Sequence, residues 1–111
     1  MNAVKVSKKG QIDVHQIQRV VTPLAQRYKI GQVYLFGSYA RGDMGEDSDV
    51  DLCIGSAGHV PGLFELAGFR RQISEQLNLP VDIAFEDGAY PEVLEEINRD
   101  RVILYEETNE K

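Results

Sequence analysis

Hydrophobic and polar residues follow a helical period in some stretches of the chain and a strand-like alternation in others. Apolar residues recur every three or four positions between residues 14 and 28, which predicts an amphipathic helix that is capped by Asp13 and ends near Gly31. Pro23 lies inside this stretch. It predicts either a kink or the start of a second helix with Thr22 as its cap.

Four short strands and two longer helices are predicted further along the chain. Short apolar or alternating runs indicate strands over residues 33–36, 49–54, 81–85 and 102–105, and the two helices begin at Pro61 and Pro91. The helix after Pro91 turns Val93, Leu94 and Ile97 inward. The apolar positions of the helix after Pro61 are Leu63, Phe64, Leu66, Ala67, Phe69 at the edge, Ile73 and Leu77.

The order of these elements predicts an α/β fold in which helices cover a small sheet. The connection between the first two strands, residues 37–48, is too irregular for a crossover helix. Parallel neighbours need such a crossover, whereas antiparallel neighbours do not. A mixed β-sheet flanked by helices is therefore expected rather than a purely parallel one.

Length and charge narrow the possible functions. The 111 residues correspond to one domain, with residues 1–10 and 106–111 as loose tails. A net charge of −6 and the absence of a basic block argue against nucleic-acid and anionic-membrane binding. No apolar run approaches the roughly 18 residues of a membrane span. The lone Cys53 cannot form an intramolecular disulfide, which fits a reducing cytoplasm.

Two aspartates mark the second strand as a candidate site. Asp49 and Asp51 are two residues apart, so both project from one face of a strand while Val50 and Leu52 face the core. Such a pair is either a solvated strand face or a binding site for a divalent cation. Carboxylates together with phosphate oxygens are the ligands that Mg²⁺ prefers.

The turn after the first strand is a candidate phosphate-binding site. Gly37 allows a ligand to approach the backbone, and Ser38 adds a hydroxyl and an N–H group at the start of a tight turn or one helical turn over residues 38–42. Arg41 is either a surface residue or a charge clamp for a triphosphate. Tyr34 and Tyr39 flank the turn and either pack or offer a surface for base stacking.

A third carboxylate lies in the third strand. Asp82 is a lone acid between the apolar residues Val81 and Ile83. If this strand lies beside the second one, Asp82 points into the same site, where it could help hold a metal ion and accept a proton from an attacking hydroxyl. Otherwise, it is an edge or capping residue.

Taken together, the motif resembles the signature of the nucleotidyltransferase superfamily related to DNA polymerase beta. Gly37 and Ser38 are followed after ten residues by Asp49 and Asp51, a combination that matches by chance in only about one chain in a thousand. The longer form, residues 35–42 through 48–52, resembles the minimal nucleotidyltransferases, and the likeness covers the whole chain in element order.

The resemblance implies a polymerase-beta-type fold and a role for each site residue. Gly37 and Ser38 would hold the nucleotide phosphates, and Arg41 falls at a position that is usually basic. Asp49 and Asp51 would hold two Mg²⁺ ions, and Asp82 would assist one ion and the nucleophile.

The resemblance also implies a biological role. Minimal nucleotidyltransferases are commonly paired with HEPN ribonuclease toxins, so the expected function is an antitoxin that transfers AMP from ATP to a tyrosine of such a toxin. Two alternatives stay open. The chain could neutralise a toxin by binding alone, or it could be the catalytic subunit of a small-molecule nucleotidyltransferase. A homo- or hetero-oligomer is compatible with each of these three functions.

Overall fold

The computed structural model describes residues 12–107, which form a four-stranded mixed sheet with helices on both faces. The strand order is β3-β2-β1-β4, with β1 antiparallel to β2 and to β4, and β2 parallel to β3. The expectation of a mixed sheet is thus confirmed. The elements are α1 (Val14–Arg27), β1 (Gln32–Phe36), α2 (Ser38–Arg41), β2 (Val50–Ile54), α3 (Leu63–Leu77), β3 (Val81–Phe85), α4 (Pro91–Asp100) and β4 (Val102–Glu106).

Helix α1 is one continuous helix, so Pro23 does not start a second one. Asp13 caps it by a reciprocal pair of hydrogen bonds with Gln16, each 2.9 Å long. Pro23 removes one backbone N–H from the helix interior. Pro23 and Arg19, whose carbonyl loses its partner, are both exposed, so water can satisfy that carbonyl group.

One face of the sheet carries the main hydrophobic core, which α1 and α3 cover. Phe69 and Ile73 of α3 are fully buried against this core, so Phe69 lies at its centre and not at its edge. Not all of the apolar positions of α3 are buried. Phe64 is 91% exposed because it lies nine positions before Ile73, about two and a half turns, which places it on the opposite side of the helix. Leu63 and Ala67 are also exposed.

The other face of the sheet is covered only in part, by α4. Ile97 packs there against Tyr34, Phe36 and Cys53 in a second, smaller buried cluster, with Val93 at its margin. The five residues of the central strand β1 are buried because helices lie over both faces of the sheet. The partial cover leaves part of β2 and β3 accessible to a ligand.

The last strand is one residue longer than predicted. Glu106 belongs to β4 and not to a loose tail. Glu107 is also held, because its N–H donates to the Gly31 carbonyl and its carboxylate accepts from the His59 N–H. The remainder of the predicted tails, residues 1–10 and 108–111, lies outside the described residues. No helix within residues 12–107 is long and apolar enough to cross a membrane.

Two phenylalanines on α3 provide a matched test of this core. Phe69→Ala should lower the free energy of unfolding by about 3–5 kcal/mol because it leaves a cavity under the sheet. Phe64→Ala removes an exposed ring and should change it by no more than about 0.5 kcal/mol. Urea unfolding followed by circular dichroism measures both. Similar values for the two variants would contradict the assignment of the buried face of α3.

Candidate active site

Two aspartates lie side by side on neighbouring strands. Asp51 is the second residue of β2 and Asp82 is the second residue of β3, and the parallel register pairs them directly. Paired residues on strands roughly 4.8 Å apart point to the same face of a sheet. Both carboxyl groups therefore lie on the face that α4 covers in part.

Asp49 joins this pair from just outside the strand. The sequence pattern predicts a strand that includes Asp49, but β2 begins at Val50. The Val50 N–H donates to the Pro80 carbonyl at 2.9 Å, and Pro80 has no N–H with which to extend the ladder toward Asp49. The Asp82 carboxyl group nevertheless lies close enough to Asp49 to raise its pKa, so the three acids meet at one place.

Negative charge is concentrated at this place. Burial raises the pKa of Asp51 to about 6, and the charges of Asp82, Glu96 and Asp49 act in the same direction, while Arg41 opposes them. The pKa of Asp49 is also raised, first by burial and then by the neighbouring Asp82 carboxyl group. Carboxyl groups in such a cluster resist ionisation unless a cation balances them.

The donor chemistry of this cluster suits Mg²⁺. Among the described residues, no group of three or more His, Cys, Asp or Glu side chains is arranged to hold a metal ion by itself. Mg²⁺ does not require one, because it is bound by one or two carboxylates together with water and substrate phosphates. Asp49 and Asp51, with Asp82 beside them, meet that requirement.

The turn after β1 lies directly against Asp51. Phe36, the last residue of β1, is the partner of Asp51 in the antiparallel register, and Gly37 follows it. Gly37 has φ +77° and ψ −158°, a conformation that is essentially restricted to glycine. A β-carbon at this position would collide with the Asp51 carboxylate. Glycine is therefore required here both for the backbone conformation and for the space beside Asp51.

Residues 38–41 form the single helical turn that was one of the two predicted options. The Gly37 carbonyl accepts from the N–H groups of Ala40 and Arg41, both at 3.0 Å, and the Ser38 carbonyl accepts from that of Gly42 at 2.8 Å. Ser38 is the first residue of this turn and is half-buried. Its position brings a hydroxyl and a helix N-terminus next to the cluster of acids.

Arg41 points toward α4. Its guanidinium donates to Asp100 at 2.8 Å and to Asp43 at 3.1 Å, and it lies 3.7 Å from the Glu96 carboxylate. The Asp100 side chain is only 4% exposed, and its pKa is lowered chiefly by a hydrogen bond from Arg99 and also by that from Arg41. Arg41 thus ties the turn to α4, and its positive charge also reaches Asp51.

Sequence reasoning missed the two acids of α4. Glu96 and Asp100 are four residues apart, so they share one side of the helix, which faces Arg41 and the cluster. The four-residue spacing is visible in the sequence, but it does not show that the two acids contact Arg41. Tyr34 and Tyr39, considered for base stacking, are both buried and pack inside the fold.

The fold is that of a nucleotidyltransferase domain. Residues 17–107 match the family model described as nucleotidyltransferase domain, and the chain belongs to this family. It is similar to the protein adenylyltransferase MntA of Thermococcus cleftensis, with 25% identity over 99 residues that cover 86% of this chain and 99% of the relative.

Solved structures agree with this assignment. A protein assigned as a minimal nucleotidyltransferase is 31% identical, with a TM-score of 0.65 over 83% of this chain and 96% of that chain. A complex of the tri-AMPylated HEPN toxin of Shewanella oneidensis with its MNT antitoxin matches with a TM-score of 0.61 and 17% identity, over 84% and 72% of the two chains. The second likeness shows a common fold.

Gly37 provides a test of the local geometry. Gly37→Ala should cost about 1–3 kcal/mol of stability, because alanine disfavours this backbone conformation and its β-carbon meets Asp51. Gly45→Ala is the matched control, since a β-carbon there meets no atom within 4 Å, and it should change stability by less than about 1 kcal/mol. Thermal unfolding measures both, and equal stability of the two variants would show that the turn tolerates a side chain.

Proposed function

We propose that this chain transfers AMP from ATP to a tyrosine hydroxyl of a HEPN-type partner toxin and thereby acts as its antitoxin. The observation that carries the proposal is the convergence of Asp49, Asp51 and Asp82 beside the Gly37 turn, in a chain that belongs to the nucleotidyltransferase family. Support for the acceptor comes from relatives, because one is named a protein adenylyltransferase and another is an antitoxin in complex with an AMPylated toxin.

The residues of the turn and of β2 would bind the nucleotide. Gly37 and Ser38 are proposed to hold its phosphates through backbone N–H groups and the serine hydroxyl. Asp49, Asp51 and Asp82 would hold Mg²⁺, two ions by the family pattern, which when bound neutralise the charge of the triphosphate. Arg41 is proposed to add positive charge at the edge of the same site.

Asp82 is proposed to activate the acceptor. It is exposed and belongs to β3, the outermost strand of the sheet on this side, so a hydroxyl from another molecule can reach it. The hydroxyl oxygen forms a bond to the α-phosphorus of ATP, the bond from that phosphorus to the oxygen that bridges it to the β-phosphate breaks, and pyrophosphate leaves. Asp82 accepts the hydroxyl proton.

A separate protein is the proposed source of this hydroxyl. The described part of the chain, residues 12–107, forms a single α/β unit. No segment within this range covers Asp82, which is exposed. The acceptor must then approach the sheet face from outside. The six-unit excess of negative charge also favours a partner with a basic contact surface.

Intact mass spectrometry tests the proposed reaction directly. A HEPN-type partner protein is incubated with the chain, ATP and Mg²⁺, and should gain one or more AMP units. The Asp49→Ala/Asp51→Ala double variant should give no gain while it keeps its fold, because neither side chain belongs to the two buried apolar clusters.

The control for this variant is Asp47→Ala. It removes an exposed carboxylate from the same loop and should leave the mass gain unchanged. A stable complex with inhibited toxin and no mass gain would instead identify the chain as a binding module. Transfer by the double variant would show that these two aspartates do not hold the metal ion.

Asp82→Asn separates activation of the acceptor from nucleotide binding. Loss of the proton acceptor should lower kcat about 10²–10⁴-fold, while ATP still binds. Single-turnover transfer and ATP titration by calorimetry measure the two quantities. Unchanged turnover would assign Asp82 a purely structural role.

A further inference from the structure

A hollow of about 310 Å³ opens between the end of β3 and the start of α4. Its lining includes Ala84 from β3, Val93 from α4, and Ala89 and Tyr90 from the connecting loop. This β3–α4 hollow lies on the same sheet face as the cluster of acids, because Ala84 is two residues after Asp82. Ala84 and Val93 also adjoin the second buried cluster, which gives the hollow a firm base.

The distance between the hollow and Asp82 suits one aromatic side chain. Two residues along a strand span roughly 6.6 Å. This is about the length of a tyrosine residue from its α-carbon to its hydroxyl oxygen. A tyrosine whose ring occupies the hollow can therefore place its oxygen beside Asp82.

The lining of the hollow favours an uncharged ring over a phosphate. Its side chains are mostly apolar, its one charged residue is the acidic Asp87, and no basic side chain contributes to it. A phosphate would meet repulsion there, whereas a ring gains apolar contact. Tyr90 is 74% exposed at the rim and can pack against an incoming ring in an offset or edge-to-face arrangement.

The order of the strands indicates whether the hollow receives the ring of the acceptor or the adenine ring of ATP. The Gly37 turn follows β1, and β3 lies two strands away on the outer side of Asp51. In an in-line displacement the attacking and leaving oxygens lie on opposite sides of the phosphorus. If the leaving phosphates lie at Gly37 and Ser38, the attacking oxygen approaches from the β3 side.

We infer that the β3–α4 hollow binds the aromatic ring of the acceptor tyrosine and directs its hydroxyl to Asp82. This inference rests on the proposed function, because it assumes a tyrosine acceptor. It assigns acceptor selection to Ala84, Ala89, Tyr90 and Val93 of this chain. The adenine ring of ATP is the competing occupant, and the experiment distinguishes the two.

A variant that fills the hollow tests the inference. Ala89→Leu should raise the KM for the HEPN-type acceptor at least about tenfold, an effect of the size that a mismatched group produces in an apolar pocket, and should leave the affinity for ATP unchanged. Ala67→Leu is the control, since it adds the same atoms to an exposed position on α3 and should change neither quantity. Weaker ATP binding by Ala89→Leu would mean that the hollow holds adenine, which overturns the inference.

A binding measurement on the unaltered chain is independent of catalysis. N-acetyl-L-tyrosinamide should shift the methyl NMR signals of Ala84, Ala89 and Val93, and Ala89→Leu should abolish these shifts. Shifts at these methyls without any AMP transfer to the partner would support the hollow and contradict the proposed function. Transfer that Ala89→Leu does not impair, or a probe that leaves these methyls unshifted, would overturn the hollow alone.

Discussion

The direct pairing of Asp51 with Asp82 across β2 and β3 is the constraint on which the rest of this site depends. Two carboxylates on adjacent strands repel each other, and the partial burial of Asp51 strengthens the effect, as its raised pKa shows. Asp49 and Glu96 add to the same charge. Such a cluster of carboxylates destabilises the fold, and it is kept only where a function requires the negative charge. Binding of a divalent cation together with a polyphosphate is a requirement of this kind.

The two faces of the sheet divide the structural and the chemical tasks. The face under α1 and α3 is fully packed around Phe69 and Ile73 and supplies most of the buried apolar surface. The face under α4 is packed only where Ile97 meets the central strand. Because the first face stabilises the sheet, the second can leave Asp82 exposed and a hollow open beside it.

The ion pairs of Arg41 connect the turn to the helix on the second face. Surface ion pairs contribute little to stability, but the Asp100 side chain is almost completely buried, so this contact is better shielded from solvent. It holds α2 against α4 and keeps a positive charge near Asp51 without a direct contact to it. The position of the Gly37 turn is therefore coupled to the position of α4, the helix that partly covers the three acids.

The sequence by itself determined the order of the elements, the mixed sheet, and the three acids as candidates, because periodicity and turn residues act over short stretches of chain. It did not determine the start of β2, which depends on Pro80 just before β3, or the burial of Phe69 and exposure of Phe64. Only the tertiary structure paired Asp51 with Asp82, directed Arg41 toward Asp100 and formed the β3–α4 hollow. Register and the packing of helices on a sheet depend on contacts between residues that are distant in the chain, and these contacts leave no local pattern in the sequence.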